Sequence, residues 1–264
     1  MKNIALIEAR YDSTRLKGKV LLNLNEKFKT IDFVIQNLLA SKKLNNSNVY
    51  LLTSKKKSND KIINYIKKNY QIGVYRGSEE NVYLRIYNFV KNKKIDNIIR
   101  VTSDNPLIDP IIIDKFVENF EKNKSHYMSI RSMEHTQNWN ERSDFPEGIS
   151  LEVFKTNKFL KLKKKINKKN YAYPTWFFYS TVDKEIFKKK FNIFKKYKKI
   201  DKKMRVTLDT KKDLIFLRKI IKFYDLIPGS NNISKILNDK KKISKNFLFN
   251  IKKRKKIAYK IVNL

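Results

Sequence analysis

The chain has 264 residues and carries 61 lysines and arginines against 25 aspartates and glutamates, a formal net charge of +36. Hydrophobic residues make up 41% of the chain and aromatic residues 12%, so it can bury a core and is not wholly disordered. Cysteine is absent, and there are two histidines, His126 and His135. This composition excludes disulfides, thiolate metal sites and a cysteine nucleophile, and it argues against a zinc site built from histidines.

The length fits one domain of ordinary size with a small appendage. No apolar run approaches the roughly 18 residues that cross a bilayer. Glu8 and Arg10 interrupt the N-terminal apolar run before a signal peptide could form. We therefore expect a cytoplasmic protein with no membrane partner.

Short lysine runs, such as Lys188–Lys190 and Lys252–Lys256, carry much of the positive charge in the second half. A basic surface of this kind attracts polyanions such as nucleic acids. Isoleucine and asparagine are also abundant, whereas glycine and proline number five each, a profile typical of an AT-rich coding sequence. We favour this compositional origin and do not expect nucleic acid as a partner, although a nucleic-acid-binding protein is one alternative.

The first half of the chain alternates short apolar runs with segments of helical periodicity. Strands are predicted at Asn3–Glu8, Asn48–Thr53, Gly73–Tyr75 and Asn97–Thr102. Helices are predicted at Thr30–Ala40, Asn59–Asn69, Glu79–Lys91 and Pro110–Lys122. This alternation predicts an α/β fold with a mainly parallel sheet flanked by helices, which binds its ligand beyond the carboxyl ends of the strands.

The second half is less regular. Strands are predicted at His126–Arg131, Ser150–Phe154 and Arg205–Leu208, and helices at Lys211–Phe223 and Ile233–Leu237. We divide the chain into a main domain, residues 1–228, and a basic C-terminal extension, residues 229–264.

A basic loop follows the first predicted strand. It contains Ala9, Arg10, Ser13, Arg15, Lys17, Gly18 and Lys19, and Asp12 is its only acidic residue. Guanidinium and ammonium groups beside hydroxyl donors suit a triphosphate. The loop is not a Walker A motif, because the GxxxxGK[ST] pattern is missing. A solvated basic loop is the alternative.

Two aspartates, Asp104 and Asp209, each follow an apolar predicted strand. Carboxylates at this edge of a sheet can hold Mg²⁺, which takes one or two carboxylates plus phosphate oxygens. Each also has a structural interpretation, since Asp104 fits a turn and Asp209 lies beside a capping box formed by Thr210 and Asp213. The segment Arg76–Asn81 leads into a helix whose N-terminal amides favour an anion or a carbonyl, or else forms an ordinary serine cap.

Five segments in fixed order resemble one known family, the cytidylyltransferases of the spore-coat polysaccharide biosynthesis protein F type. These proteins are related to the acylneuraminate and 3-deoxy-manno-octulosonate cytidylyltransferases. The segments that carry the resemblance are Ala9–Leu21, Arg76–Tyr87, Arg100–Pro110, Phe145–Phe154 and Arg205–Leu214.

The resemblance implies a nucleotide-diphospho-sugar transferase-like fold. It implies transfer of CMP from CTP to an acidic or otherwise activated sugar, with Mg²⁺ as cofactor, pyrophosphate as product and a homodimer as the assembly. The residues it assigns to the nucleotide are Ala9, Arg10, Ser13, Arg15, Gly18, Lys19, Arg76, Gly77 and Ser78. Of these, Arg10, Arg15 and Lys19 would act in catalysis; Asp104 and Asp209 would hold Mg²⁺, and Arg85 and Glu152 would lie near the acceptor.

The chain departs from the family pattern at several positions: Lys17 replaces a proline, Asn81 and Ser150 replace aspartates, and Ser103 and Asn105 flank Asp104 in place of glycine and cysteine. The change at Ser150 bears on acceptor choice. His126 and His135 are candidate general bases only by residue type. A catalytically weakened nucleotide-binding scaffold of the same fold is therefore a further alternative.

Overall fold

A six-stranded sheet forms the centre of the protein. The computed structural model describes residues 1–129, 147–175, 177–178, 205–230 and 236. The strands are β1 (Asn3–Glu8), β2 (Val49–Ser54), β3 (Gly73–Gly77), β4 (Asn97–Thr102), β5 (Tyr127–Ser129) and β6 (Glu152–Lys155). They lie in the order β3-β2-β1-β4-β6-β5, and β6 runs in the direction opposite to the other five. The predicted α/β fold with a mainly parallel sheet is confirmed.

Helices cover both faces of the sheet. They are α1 (Thr30–Leu39), α2 (Asp60–Asn69), α3 (Val82–Val90), α4 (Pro110–Lys122), α5 (Thr156–Leu160) and α6 (Lys211–Phe223). Aliphatic side chains of α1, α2, α4 and α6 pack on one face, against buried residues such as Ile7 and Ile99. The other face carries α3 and α5 and is rich in aromatic side chains, among them Tyr83, Phe154 and Phe159. None of the described helices is long and apolar enough to cross a membrane.

Helix starts follow from local capping. The Asp109 carboxylate caps α4 by accepting a hydrogen bond of 2.9 Å from the amide of Ile111. Helix α3 begins at Val82 and not at Glu79 as predicted, because Asn81 has an extended backbone and its side chain accepts a hydrogen bond of 2.8 Å from the amide of Leu84. A side-chain cap of this kind fixes the first residue of a helix, which apolar periodicity locates only to within a few residues.

The predicted strand Arg205–Leu208 is wrong. This segment makes one isolated parallel bridge, between Arg205 and Glu147. The amide of Val206 donates to the carbonyl of Glu147 at 2.7 Å, whereas the amide of Leu208 donates to the carbonyl of Asp104 at 2.8 Å. Its amides bond to two different loops, and among the described residues the segment belongs to no strand pair.

The other second-half predictions stand as follows. The strand predicted at 126–131 is observed as β5, and residues 130 and 131 lie outside the described residues. The strand predicted at 150–154 is observed as β6, and the helix Lys211–Phe223 is confirmed as α6. Of the helix predicted at 233–237, only Ile236 is described, and it is buried.

Candidate active site

Lys19 lies at the centre of the candidate site. The loop after β1 closes through a hydrogen bond of 2.8 Å from the amide of Gly18 to the carbonyl of Tyr11, and Lys19 then begins a short 3-10 turn. The Lys19 Nζ atom lies 2.8 Å from Asp104 Oδ2 and 2.8 Å from Asp209 Oδ1. The structure therefore brings together the two aspartates and the loop lysine that the sequence singled out.

Asp209 is surrounded by three cations. Besides Lys19, its carboxylate contacts Arg15 Nη2 at 3.0 Å and Arg205 Nη2 at 2.6 Å, and Arg205 also forms an ion pair with Glu147. Burial by itself raises the pKa of Asp209, but Lys19, Arg15 and Arg205 outweigh it and hold the pKa below its usual value. The carboxylate is therefore ionised at neutral pH, as a ligand for a cation must be.

Hydrogen bonds to the main chain of Asp104 hold the two aspartates close to each other. The carbonyl oxygen of Asp104 accepts hydrogen bonds from the amide of Leu208 at 2.8 Å and from Thr207 Oγ1 at 3.1 Å. The Thr102 hydroxyl donates to Asp104 Oδ1 at 2.5 Å and orients the carboxylate. Gly148 packs directly on this segment: a Cβ at Gly148 would lie 2.2 Å from the amide nitrogen of Thr207. The positions of the carboxylates thus depend on close backbone packing as well as on Lys19.

The two carboxylates form a donor set that fits Mg²⁺. Both contact the same ammonium group, so one cation can reach both, and Mg²⁺ needs only one or two carboxylates when phosphate oxygens supply the remaining ligands. Within the described parts of the chain, no group of three or more His, Cys, Asp or Glu side chains could hold a metal ion. A divalent cation at this point would therefore depend on the bound nucleotide for further ligands.

The loop after β1 offers further positive charge to solvent. Arg10 is exposed, and the Arg15 side chain is 59% exposed. The only acidic residue of this loop, Asp12, turns away from Lys19 and contacts Lys56 Nζ at 3.1 Å and the Ser58 hydroxyl at 2.6 Å. Cationic groups therefore remain at the edge of the sheet, where an anionic ligand can reach them.

The Arg76–Ser78 segment lies at the same edge. The Arg76 guanidinium contacts Asp60 Oδ1 at 2.6 Å, and the amide of Lys55 donates to the carbonyl of Gly77 at 3.1 Å. Arg85 is 4% exposed and donates hydrogen bonds to the carbonyls of Ser78 at 2.9 Å and Glu79 at 3.1 Å. Arg85 thus stabilises the conformation of the loop that contains Ser78 and Glu79. The expected contacts of Arg76–Ser78 with the base and of Arg85 with the acceptor stay predictions.

A cavity of about 290 Å³ extends from the two aspartates along the sheet edge. Arg100, Glu147, Ser150, Glu152 and Tyr173 are among the residues that line it. Its inner end is formed by Arg100 and Glu152, which face each other across β4 and β6 and form an ion pair. Glu152 is thus placed beside the cavity, and its contact with an acceptor stays a prediction.

Sequence reasoning assigned no role to Arg100, Glu8, Arg205 or Glu147. A signal existed for Arg100, a single charge inside the apolar strand Asn97–Thr102. No spacing rule identifies its partners, because Glu8 and Glu152 come from separate strands.

The candidate base His126 lies far from this site. The amide of Lys155 donates to the carbonyl of His126 at 3.0 Å, and Lys155 pairs with Asn97 at the amino end of β4, opposite to the edge that carries Asp104. Partial burial, with Lys158 and Lys155 nearby, lowers the pKa of His126. His126 therefore does not serve this site, and His135 lies outside the described residues.

Comparisons with known proteins agree with this geometry. The sequence model described as Cytidylyltransferase matches residues 4–243. An uncharacterized protein of Methanocaldococcus jannaschii is 33% identical over 228 residues, 86% of this chain and 86% of that protein. The spore coat polysaccharide biosynthesis protein SpsF of Bacillus subtilis is 34% identical over 128 residues, 47% of this chain and 52% of that protein.

Among solved structures, a cytidylyltransferase from Leptospira borgpetersenii is similar with a TM-score of 0.75 at 27% identity. The match covers 92% of this chain and 96% of that one. The family resemblance and the nucleotide-diphospho-sugar transferase-like fold that the five segments implied are thereby confirmed.

Proposed function

Because the chain belongs to the cytidylyltransferase family and is a nucleotidyltransferase, we propose that it transfers CMP from CTP to a sugar and releases pyrophosphate, in the synthesis of a surface polysaccharide. One observation carries the proposal: Asp104, Asp209 and Lys19 meet at a single point beside an exposed basic loop. That arrangement supplies both carboxylates for a divalent cation and positive charge for a triphosphate.

In the proposed reaction an acceptor oxygen attacks the α-phosphorus of CTP in line. A bond forms between this oxygen and the α-phosphorus, and the bond from the α-phosphorus to the bridging oxygen of the β-phosphate breaks. Pyrophosphate leaves with the electron pair, and the proton of an acceptor hydroxyl passes to solvent. Catalysis of this kind depends mainly on positioning and on electrostatic stabilisation.

Lys19 has the central catalytic role in this proposal. Its ammonium group is already aimed at the point where the carboxylates of Asp104 and Asp209 converge. With a triphosphate bound there, Lys19 and the guanidinium groups of Arg10 and Arg15 neutralise the charge that grows on the leaving pyrophosphate. Loss of one such cation should slow the reaction by about 10²–10³-fold, the scale of a lost oxyanion donor.

Mg²⁺ is the proposed cofactor, with Asp104 and Asp209 as the residues that would hold it. When bound, Mg²⁺ neutralises phosphate charge and lowers the cost of bringing an anionic nucleotide to a nucleophile. The depressed pKa of Asp209 supports this role, because a protonated carboxyl group is a poor ligand.

The nucleotide and acceptor assignments rest on the family. Ala9, Ser13 and Gly18 would approach the phosphates, and Arg76–Ser78 would face the base. CTP, and not UTP, is proposed because the matching family consists of cytidylyltransferases. The acceptor, proposed to be an acidic or otherwise activated sugar, would lie near Arg85 and Glu152. The proposed assembly is a homodimer, and the proposed location is the cytoplasm.

The test is a pyrophosphate-release assay with CTP, UTP, ATP and GTP, Mg²⁺ and a panel of sugar acceptors. We expect release with CTP and loss of release in Asp104→Asn, with the melting temperature largely kept. Asp114→Asn is the matched control, because Asp114 lies on α4 and contacts Ser41, away from the site. Turnover in Asp104→Asn equal to that of the wild type would contradict the proposal.

The two alternatives give different results in related assays. A weakened scaffold binds CTP, seen as a rise in melting temperature, but releases no pyrophosphate with any acceptor. A nucleic-acid-binding protein binds oligonucleotides with an affinity that falls steeply as salt is raised.

A further inference from the structure

The two carboxylate oxygens of Asp209 contact different cations. Lys19 Nζ and Arg15 Nη2 contact Oδ1 at 2.8 Å and 3.0 Å, whereas Arg205 Nη2 contacts Oδ2 at 2.6 Å. Lys19 also contacts Asp104 at 2.8 Å, so Oδ1 is the oxygen that faces the point where the two aspartates meet. Arg205 therefore holds the carboxylate of Asp209 by its other oxygen.

Two further carboxylates anchor Arg205 itself. Its Nη1 atom forms an ion pair with Glu147, and its Nε atom lies 3.6 Å from Asp213 Oδ1. All four side chains of this group are largely buried, with at most 24% of each exposed. A planar guanidinium group presents donors on three nitrogen atoms in a rigid fork, whereas an ammonium group is a single point charge. The plane of the Arg205 guanidinium is thus set by Glu147 and Asp213 as well as by Asp209.

The two anchoring residues also bind the main chain of this segment. Asp213 Oδ2 accepts a hydrogen bond of 3.0 Å from the amide of Asp209. The carbonyl oxygen of Glu147 accepts one of 2.7 Å from the amide of Val206. The main chain beside Asp209 is therefore held by contacts that do not involve the guanidinium group, and Arg205 acts on the carboxylate.

Arg205 is not part of the cavity wall. Glu147 and Asp209 line the cavity, and Arg205 is not among the described residues that do so. Because it contacts Asp209 from outside the cavity, Arg205 acts on a bound cation through that carboxylate and not by direct contact. Removing a partner that orients a metal-binding side chain typically lowers metal affinity or activity by about 10–100-fold.

We propose that Arg205 is a positioning residue, which keeps Oδ1 of Asp209 facing the point where Mg²⁺ would bind. The inference rests on the proposed function and deepens it, since it adds a residue that the reaction needs but that touches neither the cation nor the substrates. Glu147 lines the cavity and holds the same guanidinium group, so Arg205 also connects the cavity wall to a proposed metal ligand. This role depends on the fork of the guanidinium group and not on its charge alone.

Arg205→Lys separates orientation from charge. Lysine keeps a positive charge beside Asp209 but loses the fork, so a change in cation binding reports the orientation of the carboxylate. Binding of Mn²⁺ to the full chain is measured by electron paramagnetic resonance with the α,β-methylene analogue of CTP, in which the bond to the β-phosphate cannot break. We expect the variant to bind Mn²⁺ about 10–100-fold more weakly, and kcat for pyrophosphate release from CTP to fall by a similar factor. An unchanged Mn²⁺ affinity in the folded variant overturns the inference.

Arg218→Lys is the matched control. Arg218 lies on α6, is exposed, and donates from Nε to the carbonyl oxygen of Asn23 at 2.9 Å. Its substitution should leave both the Mn²⁺ affinity and kcat at the wild-type values. A purely structural role for Arg205 would lower the melting temperature of Arg205→Lys but leave the Mn²⁺ affinity of the folded protein unchanged, which would also overturn the inference.

A double variant tests the inference should Arg205→Lys fail to fold. Arg205→Gln combined with Glu147→Gln removes this ion pair as a whole, so the net charge is kept and Glu147 leaves no unpaired carboxylate behind. Lys19 and both aspartates stay in place. Mn²⁺ should again bind about 10–100-fold more weakly in the presence of the CTP analogue, and wild-type affinity in the folded double variant overturns the inference.

The proposed function and this inference fail in different ways. Absence of both Mn²⁺ binding and pyrophosphate release in the wild type overturns the proposed function, and the inference falls with it. Wild-type binding and release that Arg205→Lys does not change overturn the inference alone and leave cytidylyl transfer standing.

Discussion

The amide of Leu208 donates a 2.8 Å hydrogen bond to the carbonyl oxygen of Asp104, and this contact joins two loops that are distant in the chain. The residue after Leu208 is Asp209, so this bond, with that from the Thr207 hydroxyl to the same carbonyl, holds the two aspartates near each other. Lys19 then contacts each carboxylate at 2.8 Å. The site thus has a backbone frame that does not depend on the lysine, and the lysine can be changed without removing the frame.

Replacing Lys19 with methionine should separate metal binding from catalysis. Without the ammonium group a divalent cation no longer competes with it for Asp104 and Asp209, so we expect Mn²⁺ to bind the nucleotide-free protein more tightly. Pyrophosphate release should fall by about 10²–10³-fold, because the charge on the leaving group loses a cation. Mn²⁺ titration monitored by electron paramagnetic resonance, together with the release assay, measures both effects.

Lys17→Met is the matched control for this experiment. Lys17 lies in the same loop, but its side chain is 74% exposed and 3.9 Å from Asp12, so neither quantity should change much. Weaker Mn²⁺ binding in Lys19→Met than in the wild type would count against the arrangement proposed here.

The free energy of unfolding should fall in acid partly through Asp209. The pKa of Asp209 is depressed in the folded protein, whereas an unfolded aspartate has a pKa of about 3.9. A depressed folded pKa contributes stability above the unfolded pKa, and that stability is lost as the pH falls through the folded value. Urea unfolding at a series of pH values below about 5 should therefore show a shallower loss in Asp209→Asn than in the wild type. Parallel curves for the two proteins would refute this.

Gly148→Ala should destabilise the protein and disturb the site together. Gly148 has a φ of 102°, which strains a residue with a side chain by about 1–3 kcal/mol, and the new Cβ would meet the amide of Thr207 at 2.2 Å. Gly229→Ala is the matched control, because its φ of 80° is also positive but its nearest neighbour lies at 3.6 Å. We expect both variants to lose stability in urea unfolding, and pyrophosphate release to fall only in Gly148→Ala.

Arg100→Met should cost about 3–5 kcal/mol of unfolding free energy, because it leaves Glu8 and Glu152 buried without their counter-ion. Arg76→Met removes an ion pair with Asp60 in which both side chains are at least 36% exposed, and it should cost less than about 1 kcal/mol. Chemical denaturation of the two variants compares these values. A similar small loss in both would show that the buried cluster does not stabilise the fold.

Strand and helix order in the first half could be predicted from periodicity, because β1, β2 and β4 are buried on both faces and read as apolar runs. The segment Arg205–Leu208 also buries apolar side chains, Val206 and Leu208, yet its amides bond to the loops of Glu147 and Asp104. The sequence pattern alone does not distinguish a buried strand from a buried irregular segment whose amides bond to two loops.

The site, too, could be predicted only in part from the sequence. The meeting of Asp104 and Asp209 follows from their position at the ends of apolar segments. Lys19 contacts both carboxylates, and Arg205 forms an ion pair with Asp209. These contacts depend on side-chain geometry, which the spacing of residues in the sequence does not predict.

The hydrogen bond between Leu208 and Asp104 also bears on protein synthesis. A nascent chain that has emerged as far as Asp104 contains Lys19 but only one of the two carboxylates. The second arrives when the segment before α6 leaves the ribosome and docks. If CTP binds here as proposed and needs both carboxylates, it stabilises only a chain in which this segment has docked.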